Sequence, residues 1–94
     1  MQEIPLQATP NQTVLTTVNN QNCEINIYQR MTGLFFDLLV DGVVIVTTRL
    51  CVDRVPIIRN RSSGFVGEFY FYDKTGTQNP DYIGLGTNFI LVYV

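Results

Sequence analysis

Residues 34–48 read LFFDLLVDGVVIVTT, two apolar runs separated by Asp41-Gly42. That dipeptide is the strongest short-range hairpin signal, because a type I′ turn needs positive φ at both central residues and Asp and Gly tolerate it. A two-residue turn fixes the register. Val40 then stands opposite Val43, Leu38 opposite Ile45 and Phe36 opposite Thr47 on one face. The other face pairs Leu39 with Val44, Phe35 with Thr48 and Asp37 with Val46. Both faces are largely apolar, whereas a half-solvated antiparallel sheet alternates apolar and polar residues. The hairpin therefore asks for cover on two sides, and its second face, Phe35, Leu39, Val44 and Val46, is a candidate contact surface. Asp37 within it reads as a solubilising charge on an exposed strand rather than as a buried acid awaiting an arginine, since burying a lone carboxylate is costly.

Upstream, residues 13–18 and 23–28 flank Asn19-Asn20-Gln21-Asn22. Centring a turn there pairs Val18 with Cys23, Thr16 with Ile25 and Val14 with Ile27. The opposite side, Leu15, Thr17, Glu24, Asn26 and Tyr28, has the mixed character of a wet face. Thr32-Gly33 turns the chain into the Asp41-Gly42 hairpin. Before all this, Pro5 and Pro10 bracket a segment in which Ile4 and Leu6 suit an edge strand, where proline is tolerated.

Downstream the pattern loosens through RLCVDRVPIIRNRSSG, residues 49–64, and Pro56 argues against a central strand. A short edge strand over 55–58 and a Ser62-Ser63-Gly64 turn fit this stretch. Residues 65–72 resume as a strand, with Phe69 and Phe71 on one face and Glu68, Tyr70 and Tyr72 on the other. Asp73-Lys74-Thr75-Gly76 has the residues of a type I turn. A long loop over 77–86 leads to a last strand over 87–94, whose FILVYV should be paired and covered. No amphipathic helix, internal repeat or low-complexity segment is visible. The fold class expected is all-β: a small antiparallel barrel or sandwich of about six to eight short strands.

Ninety-four residues are read as a single β domain spanning 1–94. Charged residues make up 15% of the chain, where about 25% is usual. Its net charge of −2 leaves little protection against association. Such a chain suits life packed among other chains. The acidic balance argues against general nucleic-acid binding. No targeting segment and no apolar run of about 18 residues is seen, so a cytoplasmic, non-membrane protein is expected. Cys23 and Cys51 are too few for a disulfide framework; Cys23 shares a face with Ile25 and Ile27 and reads as a small buried apolar residue, with a bridge to Cys51 left open.

The chain contains no histidine. That removes the commonest general acid or base and the usual partner of a Ser or Cys nucleophile. Catalysis would rest on carboxylates such as Asp37 and Glu68, and a domain this small leaves little room for a cleft, so no enzyme is expected. Neither the two cysteines nor the scattered acids form a metal pattern, and Gly84-Leu85-Gly86 is too short for a phosphate loop. No catalytic, cofactor or metal residue is assigned. Two further features are candidates for contact. Arg49, Arg54, Arg59 and Arg61 crowd one segment, as an intersubunit ion-pair belt or as a solvated loop with Asp53 as local partner. Tyr82 and Ile83, between Pro80 and Gly84, form a contact finger or a tucked loop.

In order along the chain, MQEIPLQATPNQ, INIYQR, TGLFFDLLVDG and YIGLGTNFILVYV resemble the baseplate plug proteins of contractile-tailed bacteriophages, of the cyanophage type. The resemblance covers nearly the whole chain. It implies a non-enzymatic virion protein in the central baseplate that closes the tail lumen and touches hub and tail-tube proteins, after assembly in the host cytoplasm. It supplies no catalytic residues. A plug in a symmetric tail is expected as a homo-oligomer that buries the same strand faces in every copy. The alternative is a free-standing β-barrel module that binds or inhibits a host protein through its aromatics and long loop.

Overall fold

The Asp41-Gly42 turn forms as read, with φ of 50° and 78° at its two central residues. It joins the last two strands of a four-stranded antiparallel sheet, in the order β2 (Asn11–Val18), β3 (Gln21–Arg30), β4 (Gly33–Val40) and β5 (Val43–Leu50). A second antiparallel sheet has the order β1 (Gln2–Ile4), β7 (Phe89–Tyr93) and β6 (Phe69–Asp73). This computed structural model describes residues 1–59 and 63–94. Among the described residues no strand pairing closes the two sheets into a barrel, so the sandwich is the form the all-β chain takes.

The core lies between the sheets. From the four-stranded sheet come Val18, Cys23, Ile25, Ile27, Leu34, Phe36 and Leu38, and from the other Ile4, Phe69, Phe71, Phe89 and Leu91. Phe36 and Phe69 meet across it at 5.6 Å between ring centroids, and Phe65 and Tyr93 extend the aromatic cluster. Each such side chain, fully removed from water, contributes about 1.5–3 kcal/mol. Cys23 and Cys51 are both buried free thiols. Burial pushes both thiols up from their usual values, so neither is primed as a nucleophile.

Several registers differ from those expected. The first hairpin turns on Asn19-Asn20 alone, both at positive φ, so Val18 faces Gln21, Thr16 faces Cys23 and Val14 faces Ile25. Asparagine tolerates the left-handed region, which allows a two-residue turn where four were read. The shift is two residues, so every side chain keeps its face. The next turn is Met31-Thr32, with Gly33 already paired to Arg30.

The larger correction is in β5. Val40 faces Val43 and Leu39 faces Val44 as expected, but Leu38 faces Val46, Phe36 faces Arg49 and Phe35 faces Leu50. Two bulges lie between these pairs, each adding one residue to β5. The first bulge inverts the faces. Val46, expected on the outer surface beside Asp37, is buried in the core, and Ile45, expected opposite Leu38, is only half-buried.

Residues 55–58 form no strand. The stretch runs as a strap along β6, where Arg54 N–H donates to Phe71 O at 2.8 Å and Ile57 N–H to Phe69 O at 3.0 Å. Pro56 has no N–H to continue a ladder. Ile57 and Ile58 are nonetheless buried. The Ser62-Ser63-Gly64 turn begins outside the described residues.

Candidate functional site

The outward faces of β2 to β5 combine into one continuous surface, because antiparallel pairing sets their odd and even residues in register. One row across the sheet runs Leu15, Glu24, Leu39, Val44. Leu15 is 75% exposed and Val44 57%, so the row is apolar and wet on both sides of Glu24. A second row runs Asn11, Tyr28, Phe35, Leu50. Tyr28 and Phe35 stack with ring centroids 6.0 Å apart, and the Arg30 guanidinium lies 4.6 Å from the Tyr28 centroid.

Between the two rows lies a polar one, Thr13, Asn26 and Asp37. The Thr13 hydroxyl donates to Asn26 Oδ1 at 2.8 Å. Asp37 Oδ1 accepts from the Tyr28 hydroxyl at 2.8 Å and from the Thr48 backbone N–H at 2.7 Å. Asp37 is therefore half-buried and bonded, neither a free surface charge nor a partner of arginine. Burial raises the Tyr28 phenol above its usual value, so it stays protonated and keeps donating to Asp37.

Thr48 sits at the second bulge with φ of 53°. A β-branched residue in that region is strained, and a strained residue needs its surroundings to hold it. Asp37 supplies that hold. Tyr28, Asp37 and Thr48, with Asn11, Thr13, Asn26 and Phe35, line a shallow open depression in this face.

The arginines do not act alike. Arg54 pairs with Asp53 and donates to Gly76 O at 3.0 Å and Asp73 O at 3.3 Å, which binds it into the turn after β6. Arg49 is half-buried and reaches Ile58 O at 3.4 Å. Arg59 is exposed, and Arg61 lies outside the described residues. Tyr82 and Ile83 form a single 3-10 turn, Tyr82–Gly84, capped by Asp81, whose side chain accepts from Ile83 and Gly84 N–H. Tyr82 packs on the core and its N–H donates to Gln29 Oε1 at 3.1 Å, whereas Ile83 is 72% exposed.

Three glutamines do work the sequence reading missed. Gln21 imitates a strand neighbour: its Oε1 accepts the Val66 N–H and its Nε2 donates to Val66 O, both at 3.0 Å. Gln12 does the same to Gln7 at 3.1 and 2.6 Å, and Gln29 holds Tyr82. Glutamine in a strand reads as a solvent-facing polar residue, so only the position of three of them beside irregular segments was a signal. Asp37 lies on β4, whereas Glu68 stands just before β6 of the other sheet. Glu68 accepts from the N–H groups of Ile58, Arg59 and Phe69, so both carboxylates hold backbone. No group of three or more His, Cys, Asp or Glu is placed to hold a metal among the described residues.

Fold and surface together define a small all-β protein whose distinctive feature is a broad sheet face. Over residues 1–94 the chain matches the family described as cyanophage baseplate Pam3 plug gp18, and it belongs to that family. It is thus a structural component of the baseplate in the virion tail, associated with other baseplate components. The resemblance seen in its four sequence segments holds. No curated protein matches it.

Proposed function

We propose that the protein is the plug that closes the tail lumen, held in the central baseplate by hub and tail-tube proteins packed on the outer face of the four-stranded sheet. The observation that supports this reading is the row Leu15, Glu24, Leu39, Val44, in which Leu15 and Val44 stand in water and Leu39 is half-buried, beside the Tyr28–Phe35 stack. Exposed apolar side chains gathered on one sheet face in this way suit an interface, and obligate interfaces resemble a core cut in half. Phe35, Leu39 and Val44 form its centre. Arg59 and Ile83 serve as exposed rim contacts, and Arg49 and Tyr82 position the segments that carry them. Copies of the chain associate with one another in the assembly, which forms in the host cytoplasm. The protein acts by occupying space, without catalysis, nucleic-acid specificity or membrane contact.

Particles assembled with the Leu39→Asp chain test this reading. Leu39 points away from the core, so the variant should fold, yet it should be lost from the tail tip. Incorporation equal to that of the native chain would overturn the proposal.

A further inference from the structure

Two open sheets have four edges, and three of them are guarded. β1 is three residues long, carries Glu3 and runs into Pro5. The edge of β6 is covered by the strap of residues 51–58, which bonds Phe69 O and Phe71 O, while Asp53 Oδ1 takes the Asp73 N–H at 2.8 Å. β5 is bent by two bulges. These are the usual defences against edge-to-edge pairing.

The fourth edge, β2, has none of them along its length, with Pro10 standing only before its first residue. Its eight residues, NQTVLTTV, include no charge, proline or glycine, and its pairing with β3 runs without a register shift. The Gln29 N–H bonds Pro10 O, in the same register in which Val18 faces Gln21, so the even-numbered residues bond to β3. The backbone groups of Thr13, Leu15 and Thr17 therefore point outward. Among the described residues none of them has a partner.

We propose that this edge pairs with the same edge of a second copy, antiparallel about a two-fold axis at Leu15. In that register Leu15 faces Leu15 of the second copy, Thr13 faces Thr17, and the outward N–H and C=O groups of all three residues are bonded. The strand complements itself because nothing in it repels its own copy. Threonine pairs and apolar pairs across strands are favourable. The nearest charges are the two Glu24 residues, each one strand further in. At about 4.8 Å per strand they lie about 14 Å apart, beyond the Debye length of about 8 Å at physiological ionic strength. The product is an eight-stranded sheet that doubles the outer face. This pairing uses the backbone edge of β2, whereas the lumen-plug reading uses the outer face; Leu15 belongs to both, and the pairing does not depend on that reading.

The test is the mass of the purified chain in solution across a dilution series, with amide exchange read residue by residue. We expect twice the 10.7 kDa of one chain, and slowed exchange at Thr13, Leu15 and Thr17 that disappears on dilution. Leu15→Lys and Thr13→Pro should each give a folded monomer: Leu15 is exposed, and the Thr13 N–H makes no bond within the chain. Leu39→Asp, on the face and not at the edge, should remain a dimer. A monomer or trimer of the native chain overturns the proposal, as do fast exchange at these three amides at every concentration and a dimer that survives both edge variants.

Discussion

The carboxylate of Asp37 and the backbone N–H of Thr48 lie 2.7 Å apart, across the point where β5 carries one residue too many. This contact holds a β-branched residue at φ of 53°. Asp37→Ala removes the acceptor of two hydrogen bonds and should lower stability by about 1–3 kcal/mol, while Asp37→Asn keeps an acceptor oxygen and should cost less. Thr48→Gly relieves the strained φ and should raise the unfolding free energy by up to about 1 kcal/mol, seen as a higher urea midpoint. A lowered midpoint for Thr48→Gly would mean that the bulge is not where the strain lies.

The bulge next to Leu38 makes a sharp distinction between neighbours. Val46 is core and Val44 is surface, although an unbulged hairpin would put both on one face. Val46→Ala should cost about 1.5 kcal/mol or more in urea unfolding, from two buried carbon groups at about 0.8 kcal/mol each. Val44→Ala should stay within about 0.5 kcal/mol. Equal costs would restore the unbulged register.

Gln21 ties residues 65–67 to the first hairpin through both ends of its amide. Gln21→Ala should leave the Val66 N–H to solvent, while Val66 O keeps the Tyr93 hydroxyl, and cost about 1–2 kcal/mol. Gln21→Glu keeps the acceptor for the Val66 N–H but sets a carboxylate oxygen against Val66 O, so it should not rescue. Amide exchange at Val66 gives the local readout and should rise in both variants.

Acid should loosen the turn that follows β6. Hydrogen bonds from the Gln78 N–H and the Thr75 N–H, each 2.9 Å, hold the Asp73 carboxyl below its usual value, with the Thr75 hydroxyl and Arg54 adding to the effect. A carboxyl depressed in the folded state stabilises fully above its unfolded value of about 3.9, and the contribution is lost as pH falls through the folded value. Asp73→Asn should be less stable at neutral pH and show a flatter acid limb in denaturant midpoint against pH. Parallel limbs for the two proteins would contradict this.

Much of this fold was legible because period-two patterning survives small errors. The register of the first hairpin differs by two residues from the one its turn residues suggest, yet Cys23, Ile25 and Ile27 all lie inside, since a shift of two preserves the face. The β5 bulges were not legible for the opposite reason. One extra residue inverts the face, and nothing in VVIVTT marks where it enters; threonine argues against the positive φ that Thr48 adopts. Asp37 was the available signal, a carboxylate short enough to bond a bulged N–H. The outer face was only half visible, since Phe35 and Leu39 were recognised, but Leu15 and Tyr28 joined them only once β3 was laid beside β4.

The most direct test is electron cryo-microscopy of the intact baseplate and of the contracted tail. This chain should lie on the tail axis before contraction, closing the lumen, with Phe35, Leu39 and Val44 buried against hub or tube proteins. A lumen closed by another protein, or this chain at the tail tip with that sheet face in solvent, would contradict it.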